Sequence, residues 1–206
     1  MRQFKHPHKS ICEKKIMTFK PFHRLALGAA VAASAFVLVS PQTAFASGVD
    51  NTARPIINEA SGKCLEVVPT NGDYLRDGNL IQQRTCDGSP QQSWRFVMLQ
   101  SDPDIHYVFN DYTHKCLDNT DGSQSNGTAV QQWDCSTART STTMQWIPTG
   151  LSYRADDHRL RYNFKNKRSG KCLDVRGGSL QDGALLQQNQ CTFGDEAEVF
   201  LLASAP

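Results

Sequence analysis

The sequence predicts an all-β fold built from three copies of one unit, and three observations support this prediction. A pattern of cysteine, leucine, glycine and paired glutamines recurs three times in the second part of the chain. Each copy contains an Asp-Gly or Asn-Gly pair, and these residues accept the positive φ angles of tight turns. Short apolar-polar segments follow the turns, and no stretch after residue 50 keeps a helical period. Many short strands joined by such turns are typical of a barrel or sandwich.

The spacing of the three copies is more regular than their residues. The turn glycine lies eight residues before the second cysteine in every copy, as Gly78–Cys86, Gly127–Cys135 and Gly183–Cys191. Repeats of this kind indicate one structural unit used three times. The segments that follow the turns are predicted strands: Leu80–Gln83, Ala129–Gln132 and Leu185–Gln188.

The Cys-Leu-acid element upstream of each turn is a second predicted strand. Its leucines, predicted to point inward, are Leu65, Leu117 and Leu173. We expect the centre of the core to be formed by the large apolar residue near the end of each copy: Trp94, Trp146 and Phe200.

The first 46 residues have the three parts of a secretory signal peptide. A basic start is followed by an apolar run over residues 25–39 and by a polar stretch that ends in Ala44-Phe45-Ala46, which fits the small-x-small cleavage rule. The apolar run is shorter than the ~20 residues that cross a bilayer, which disfavours the alternative of a membrane anchor. We expect residues 1–46 to be removed, with translation starting at Met1 or at Met17, and residues 47–206 to form one secreted domain without membrane insertion.

Removal of the leader changes the charge and the cysteine count. Residues 47–206 carry 15 basic and 19 acidic groups, a net charge of −4, which disfavours a nucleic-acid partner. Loss of Cys12 leaves six of the seven cysteines, and export places them where disulfides persist. Pairing within each copy is the simplest of 15 connectivities: Cys64 with Cys86, Cys116 with Cys135, and Cys172 with Cys191.

The repeated elements resemble the ricin B-type lectin family, also called carbohydrate-binding module family 13. They are SGKCLEV, THKCLDN and SGKCLDV, then the Gln-x-x-x-Cys elements, and finally Gln92-Ser93-Trp94, with the altered forms Met144-Gln145-Trp146 and Glu198-Val199-Phe200. The resemblance covers about residues 56 to 202. It implies a β-trefoil with pseudo-threefold symmetry, in which twelve strands form three lobes with one shallow sugar pocket possible in each.

The resemblance also implies which residues bind sugar. The acid two residues after the first cysteine contacts hydroxyls, the glutamine four before the second cysteine assists, and the residue two before that cysteine is an aromatic platform. The second lobe fits best, with Asp118, Gln131 and Trp133. Thr143 stands in the place of the family's asparagine, where its hydroxyl substitutes in part, and Met144 stands in the place of a supporting glutamine.

The first lobe fits this pattern less well. It offers Glu66, Gln82 and Gln91, but Arg84 occupies the place of the aromatic platform. Tyr74, in a longer loop before the turn glycine, is an alternative platform.

The third lobe also lacks the platform. It keeps Asp174 and Gln187, but it has Asn189 in the aromatic place and Ala197 in the place of the asparagine. This lobe is as compatible with a structural role as with sugar binding.

The predicted function is that of a secreted lectin for a galactose-type sugar or a polysaccharide such as xylan, without cofactor, metal or catalysis. The chain contains neither HExxH nor GxSxG, which disfavours an enzyme. The alternative is the cell-binding subunit of a multi-component toxin with a secreted partner chain. Two long segments, starting near residues 101 and 149, exceed what a minimal trefoil needs and are candidate partner surfaces. A protease inhibitor would need an exposed reactive loop that the sequence does not identify.

Overall fold

The computed structural model describes residues 51–154, 156 and 158–203. The predicted signal peptide at residues 1–46 lies outside the described residues, as do the ends of the predicted domain. Among the residues that are described, no helix is both long and apolar enough to span a bilayer.

The described residues form twelve antiparallel strands, four from each repeat. The first repeat contributes β1 (Ile56–Asn58), β2 (Cys64–Val67), β3 (Ile81–Arg84) and β4 (Trp94–Leu99). The second contributes β5 (Asp102–Asn110), β6 (Lys115–Asn119), β7 (Thr128–Asp134) and β8 (Trp146–Arg154). The third contributes β9 (Arg159–Asn166), β10 (Cys172–Val175), β11 (Leu186–Asn189) and β12 (Phe200–Ala203). The helical segments of the described residues are single 3-10 turns, so the all-β prediction is confirmed.

Strand pairing repeats with the sequence. Within each repeat the second and third strands form a hairpin that places the acid directly opposite the first glutamine: Glu66 with Gln82, Asp118 with Gln131, Asp174 with Gln187. Between repeats, β4 pairs with β5, β8 with β9, and β12 with β1. Within the repeats, β5 pairs with β8, β9 with β12, and a bridge joins Arg54 to Trp94 at the start of β4, which closes the barrel. This is the predicted β-trefoil.

The two long segments named as candidate partner surfaces are strands and not additional linkers. Residues 102–110 form β5, which runs beside β4, and residues 149–154 and 159–163 continue β8 and β9. The expectation that these segments exceed a minimal trefoil was wrong because Asp102, Pro103 and Asp104 are typical loop residues. Ile105 and Val108, which follow them, are buried and hold the segment in the sheet.

The core has the predicted centre. Trp94, Trp146 and Phe200 are completely buried, and Leu65, Leu117 and Leu173 pack in the same cluster. The two indole Nε1 groups donate to the Leu65 and Leu117 carbonyl oxygens, both at 3.0 Å, so neither buried N–H is left without an acceptor. Burial of each large apolar side chain stabilises the fold by about 1.5–3 kcal/mol.

The three disulfides pair within repeats, as predicted: Cys64–Cys86, Cys116–Cys135 and Cys172–Cys191. Each closes a loop of about 20 residues, which in the chain-entropy model contributes roughly 3 kcal/mol.

The second glutamine of each pair joins neighbouring lobes. Gln132 is fully buried, and its Nε2 donates to the carbonyl oxygens of Tyr74 at 2.6 Å and Arg76 at 2.8 Å in the first repeat. Its backbone carbonyl accepts from the Gly78 amide at 2.9 Å. Gln83 and Gln188 make the same bonds around the threefold axis. The turn before each glutamine strand therefore lies beside the site of the next lobe.

Candidate functional site

An open pocket of about 410 Å³ lies on the second lobe. Asp118 and Gln131 form its floor, Trp133 forms one wall, and Thr143, Gly122 and Arg168 line the remainder. The structure thus brings together the four residues predicted for this lobe.

Asp118 is held by two donors. The Thr143 hydroxyl donates to Oδ1 at 2.6 Å, and Gln131 Nε2 donates to Oδ2 at 2.9 Å. Ser141 Oγ lies 2.7 Å from the Thr143 hydroxyl and extends this network. Burial raises the pKa of Asp118 above its ordinary value, while the two hydrogen bonds oppose that shift. The carboxylate is therefore fixed in direction and keeps lone pairs for a further donor.

Trp133 is exposed because strand alternation directs it outward. On β7 the neighbouring Gln132 points inward and is buried, whereas 43% of Trp133 is exposed. A Cβ placed on Gly78 would lie 3.8 Å from Trp133 Cζ3, so the turn of the first lobe supports one edge of the ring. Gly78 has a φ of 82°, which a side chain would strain.

The opposite wall comes from two repeats. Asp121 and Gly122 form a left-handed turn, with φ of 54° and 62°. Arg168, from the loop between β9 and β10, donates from Nε to the Gly122 carbonyl oxygen at 3.1 Å. A Cβ on Gly122 would lie 3.0 Å from Arg168 Nε and 3.3 Å from the Thr143 methyl group. Glycine therefore keeps the pocket open where these side chains converge.

Sequence reasoning missed this wall. The Asp121-Gly122 pair was a visible turn signal, but it lies outside the repeated pattern. Arg168 belongs to the third repeat, and only tertiary pairing places it beside the second lobe.

Met144 lines the pocket with Asp118, but its thioether has no hydrogen to donate to the acid. It is buried with Ala138 and Cys116 in a small apolar cluster. The support that a glutamine would give to Asp118 comes from Thr143 instead.

The acid of the first lobe, Glu66, also accepts two hydrogen bonds within the protein. Gln82 Nε2 donates to Glu66 Oε1 at 2.9 Å, and Gln92 Nε2 donates to Oε2 at 2.8 Å. Arg84 Nε lies 4.0 Å from Oε1, so a cation stands where the second lobe has its indole. Gln91 contributes its carbonyl oxygen, which accepts from Asn110 Nδ2 at 3.0 Å.

Tyr74, the alternative platform, packs towards the second lobe. It contacts the core cluster and meets Tyr112 edge-to-face, with ring centroids 6.2 Å apart. Its carbonyl oxygen is one of those bound by Gln132. Tyr74 therefore anchors the loop between lobes.

The third lobe keeps the acid-glutamine pair but changes its surroundings. Gln187 Nε2 donates to Asp174 Oδ1 at 2.6 Å, and Arg176 Nε donates to Gln187 Oε1 at 3.1 Å. Asn189 is half-buried at the position equivalent to Trp133. Burial, together with the nearby carboxylates Asp174 and Asp195, raises the pKa of Glu198 to about 7, although the hydrogen bond from the Thr192 amide opposes the shift.

The comparisons with known proteins agree with this architecture. The chain matches the ricin-type β-trefoil lectin domain-like family over residues 44–133 and 141–206. A comparison with curated proteins gives no match.

Solved structures give three informative likenesses. The designed threefold-symmetric protein ThreeFoil has a TM-score of 0.62 and 28% identity, over 73% of this chain and 97% of that protein. The exo-β-1,3-galactanase 1,3Gal43A from Clostridium thermocellum has a TM-score of 0.63 and 26% identity, over 75% of this chain and 30% of the galactanase. The hemolytic lectin CEL-III has a TM-score of 0.53 and 23% identity, over 74% and 30% respectively, which shows a shared fold alone.

The extent of these matches differs. The chain spans nearly all of ThreeFoil but less than a third of the galactanase and of CEL-III. The family match covers more than half of the chain, and the three repeats, the disulfides and the closed twelve-strand barrel fit it. The chain therefore belongs to the ricin-type β-trefoil lectin domain-like family.

Proposed function

We propose that this chain is a secreted carbohydrate-binding protein that holds its ligand in the pocket of the second lobe. The observation that carries the proposal is the combination of a buried, directed carboxylate at Asp118 with an exposed indole at Trp133 above the same open pocket. Membership of a lectin domain family supports carbohydrate binding in general and a non-catalytic role.

The chemistry of the pocket suits a sugar ring. A carboxylate accepts hydrogen bonds from two adjacent hydroxyls, and Thr143 and Gln131 hold Asp118 so that little ordering is needed on binding. The apolar C–H face of a pyranose packs on an aromatic face, which sets the orientation of the ring. Arg168 on the far wall offers donors to further hydroxyl oxygens.

The proposed ligand is a galactose-type sugar or a polysaccharide such as xylan. The three Cys-Leu-acid and Gln-x-x-x-Cys elements support placing the chain within carbohydrate-binding module family 13. A shallow pocket recovers little buried area, so we expect a Kd on the order of 1 mM for a single sugar unit. Secretion is supported by the signal peptide pattern of residues 1–46.

The alternative function is that of a toxin subunit with a secreted partner chain. Both segments proposed to meet a partner chain are barrel strands. Co-purification with a second secreted chain, in the absence of sugar binding, would favour that alternative.

A screen against monosaccharides, oligosaccharides and insoluble polysaccharides tests the proposal. Asp118→Asn and Trp133→Ala should each reduce binding at least tenfold. The equivalent changes in the other lobes, Glu66→Gln and Asn189→Ala, are matched controls and should change affinity less than twofold. The proposal is wrong if the wild-type chain binds sugar and both second-lobe variants bind equally well.

A further inference from the structure

The third lobe differs from the first at a position that faces its acid. In the first lobe both ends of the Gln92 amide are used: its Oε1 accepts from the Asp87 amide at 3.1 Å, and its Nε2 donates to Glu66 at 2.8 Å and to the Thr85 carbonyl oxygen at 3.0 Å. The equivalent residue of the third repeat is Glu198. A carboxylate oxygen has thus replaced an N–H donor opposite the acid.

Glu198 retains only half of this arrangement. Its Oε2 accepts from the Thr192 amide at 2.8 Å, which reproduces the Asp87 contact. Its Oε1 has no hydrogen-bond partner, although the side chain is 0% exposed. A buried carboxylate oxygen without a partner costs several kcal/mol unless a proton or a cation satisfies it.

Two further carboxylates approach the same point. Oxygen atoms of Asp174, Asp195 and Glu198 lie within 4.8 Å of one another. Two oxygens that share one Ca²⁺ at about 2.4 Å are separated by at most about 4.8 Å. The spacing is therefore compatible with a single ion between them.

Within the part of the chain that the structure describes, no basic side chain forms an ion pair with these three carboxylates. The ion pairs of the described residues include none to Asp174, Asp195 or Glu198. Arg176, on the neighbouring turn, donates to the Gln187 side chain and to the Gly127 carbonyl oxygen. The raised pKa values of Glu198 and Asp174 have the same cause, because both are buried beside other acids.

We propose that Asp174, Asp195 and Glu198 form a binding site for a hard divalent cation, for which Ca²⁺ is the best fit. All donors are oxygens, which disfavours softer metals. Three carboxylates supply part of the six to eight ligands of Ca²⁺, and water completes the shell. Mg²⁺ demands near-ideal octahedral geometry with shorter bonds. Asp195 is only half-buried and gives the ion its route from solvent.

The site is separate from the proposed sugar pocket. The second lobe has Met144 at the equivalent position, and the first has Gln92. Cation binding and sugar binding at Asp118 can therefore be measured independently, and either can fail without the other.

Calorimetric titration of the chelator-treated full chain with CaCl₂ at pH 7.5 tests the proposal. We expect one Ca²⁺ per chain with a Kd on the order of 10⁻⁴ M, in the range of extracellular modules, and a higher melting temperature in Ca²⁺ than in chelator. Glu198→Gln restores the first-lobe residue and should remove binding. Asp121→Asn, which changes an acid of the second lobe, is the matched control and should bind Ca²⁺ as the wild type does.

A second variant and a change of pH provide two further tests of the cation site. Asp195→Asn preserves the side-chain acceptor for the Ala197 amide and should weaken Ca²⁺ binding at least tenfold even if Glu198→Gln does not fold. The proposal is overturned if Ca²⁺ binds to neither form, or if it binds equally to the wild type and the variants. It is also overturned if acidification from pH 7.5 to 5 stabilises the wild type and Ca²⁺ does not. A proton shared among the carboxylates would then replace the proposed cation.

Discussion

At the scale of single residues, the second lobe is distinguished by what surrounds its acid. Glu66 receives two amide donors, and the Arg84 side chain lies nearby at the position that Trp133 occupies in the second lobe. Asp118 receives one amide and one hydroxyl, and no basic group pairs with it among the described residues. The acid at the same motif position therefore lies beside a cation in one lobe and beside an indole in the other.

Thr143→Val tests the role of the hydroxyl that holds Asp118. Valine keeps the shape but removes the donor at 2.6 Å, so the carboxylate loses one fixed direction. A hydrogen bond to a charged group contributes about 1.5–3 kcal/mol, and we expect sugar affinity to fall about tenfold. Thr137→Val, on the same pocket wall, is the control for the affinity titration. Unchanged affinity in Thr143→Val would show that Asp118 needs no such support.

The pH dependence of binding follows from the pKa of Asp118. Burial raises this pKa, so the carboxylate takes up its proton at a higher pH than an ordinary aspartate near 3.8. Because the ionised form accepts the sugar hydroxyls, affinity should be full at neutral pH and fall as the pH drops through the raised pKa. Affinity titrations from pH 7 to 3 measure this. A midpoint at or below 3.8 would contradict the account.

At the scale of elements, each hairpin carries two adjacent glutamines with opposite roles. Alternation along β7 directs Gln131 to the pocket and Gln132 into the contact between lobes. The pattern also explains why the sequence predicts the fold more fully than the site. Repeated residues such as Gly78 and Gln132 maintain the threefold frame, and their spacing is visible in one dimension.

No repeated residue pattern in the sequence marks the wall of the pocket. Arg168 reaches Gly122 across 46 residues and appears in one lobe only, so no repeat reveals it. The strand β5 was missed for a related reason, because its start is polar and its burial depends on pairing with β4.

Exchange of the two glutamines for methionine separates these roles. Gln132→Met leaves the Tyr74 and Arg76 carbonyl oxygens without their donor in a buried place, and should lower the free energy of unfolding by about 2–4 kcal/mol. Gln131→Met removes one bond at the pocket floor, and should cost about 1 kcal/mol in stability but reduce sugar affinity. Denaturant unfolding and binding titrations measure both. Equal destabilisation by the two changes would contradict this division.

At the scale of the whole molecule, threefold symmetry of the backbone coexists with three different sites. The first lobe has an acid beside Arg84, the second an open pocket with an aromatic wall, and the third a cluster of carboxylates. The disulfides and the inter-lobe glutamines maintain the threefold backbone. The residues of each site can therefore differ without loss of the fold. Because the three lobes differ, we do not expect them to raise the affinity for a polymer by binding it together.

Stoichiometry tests this asymmetry. We expect one sugar per chain in calorimetric titration, and no agglutination of sugar-coated beads by the monomer, since cross-linking needs two sites. Two or three equivalent sites per chain would show that Arg84 and Asn189 do not prevent sugar binding in the other lobes.

Sugar binding against Trp133 can be followed through the three indole N–H signals in the ¹H–¹⁵N spectrum of the chain. Two belong to buried rings with fixed carbonyl partners, Trp94 and Trp146. The third belongs to the exposed Trp133. During titration with the best ligand of the screen, the account predicts that the Trp133 signal moves with saturation and the other two stay in place. A ligand that saturates the chain and leaves the Trp133 signal unmoved would contradict it.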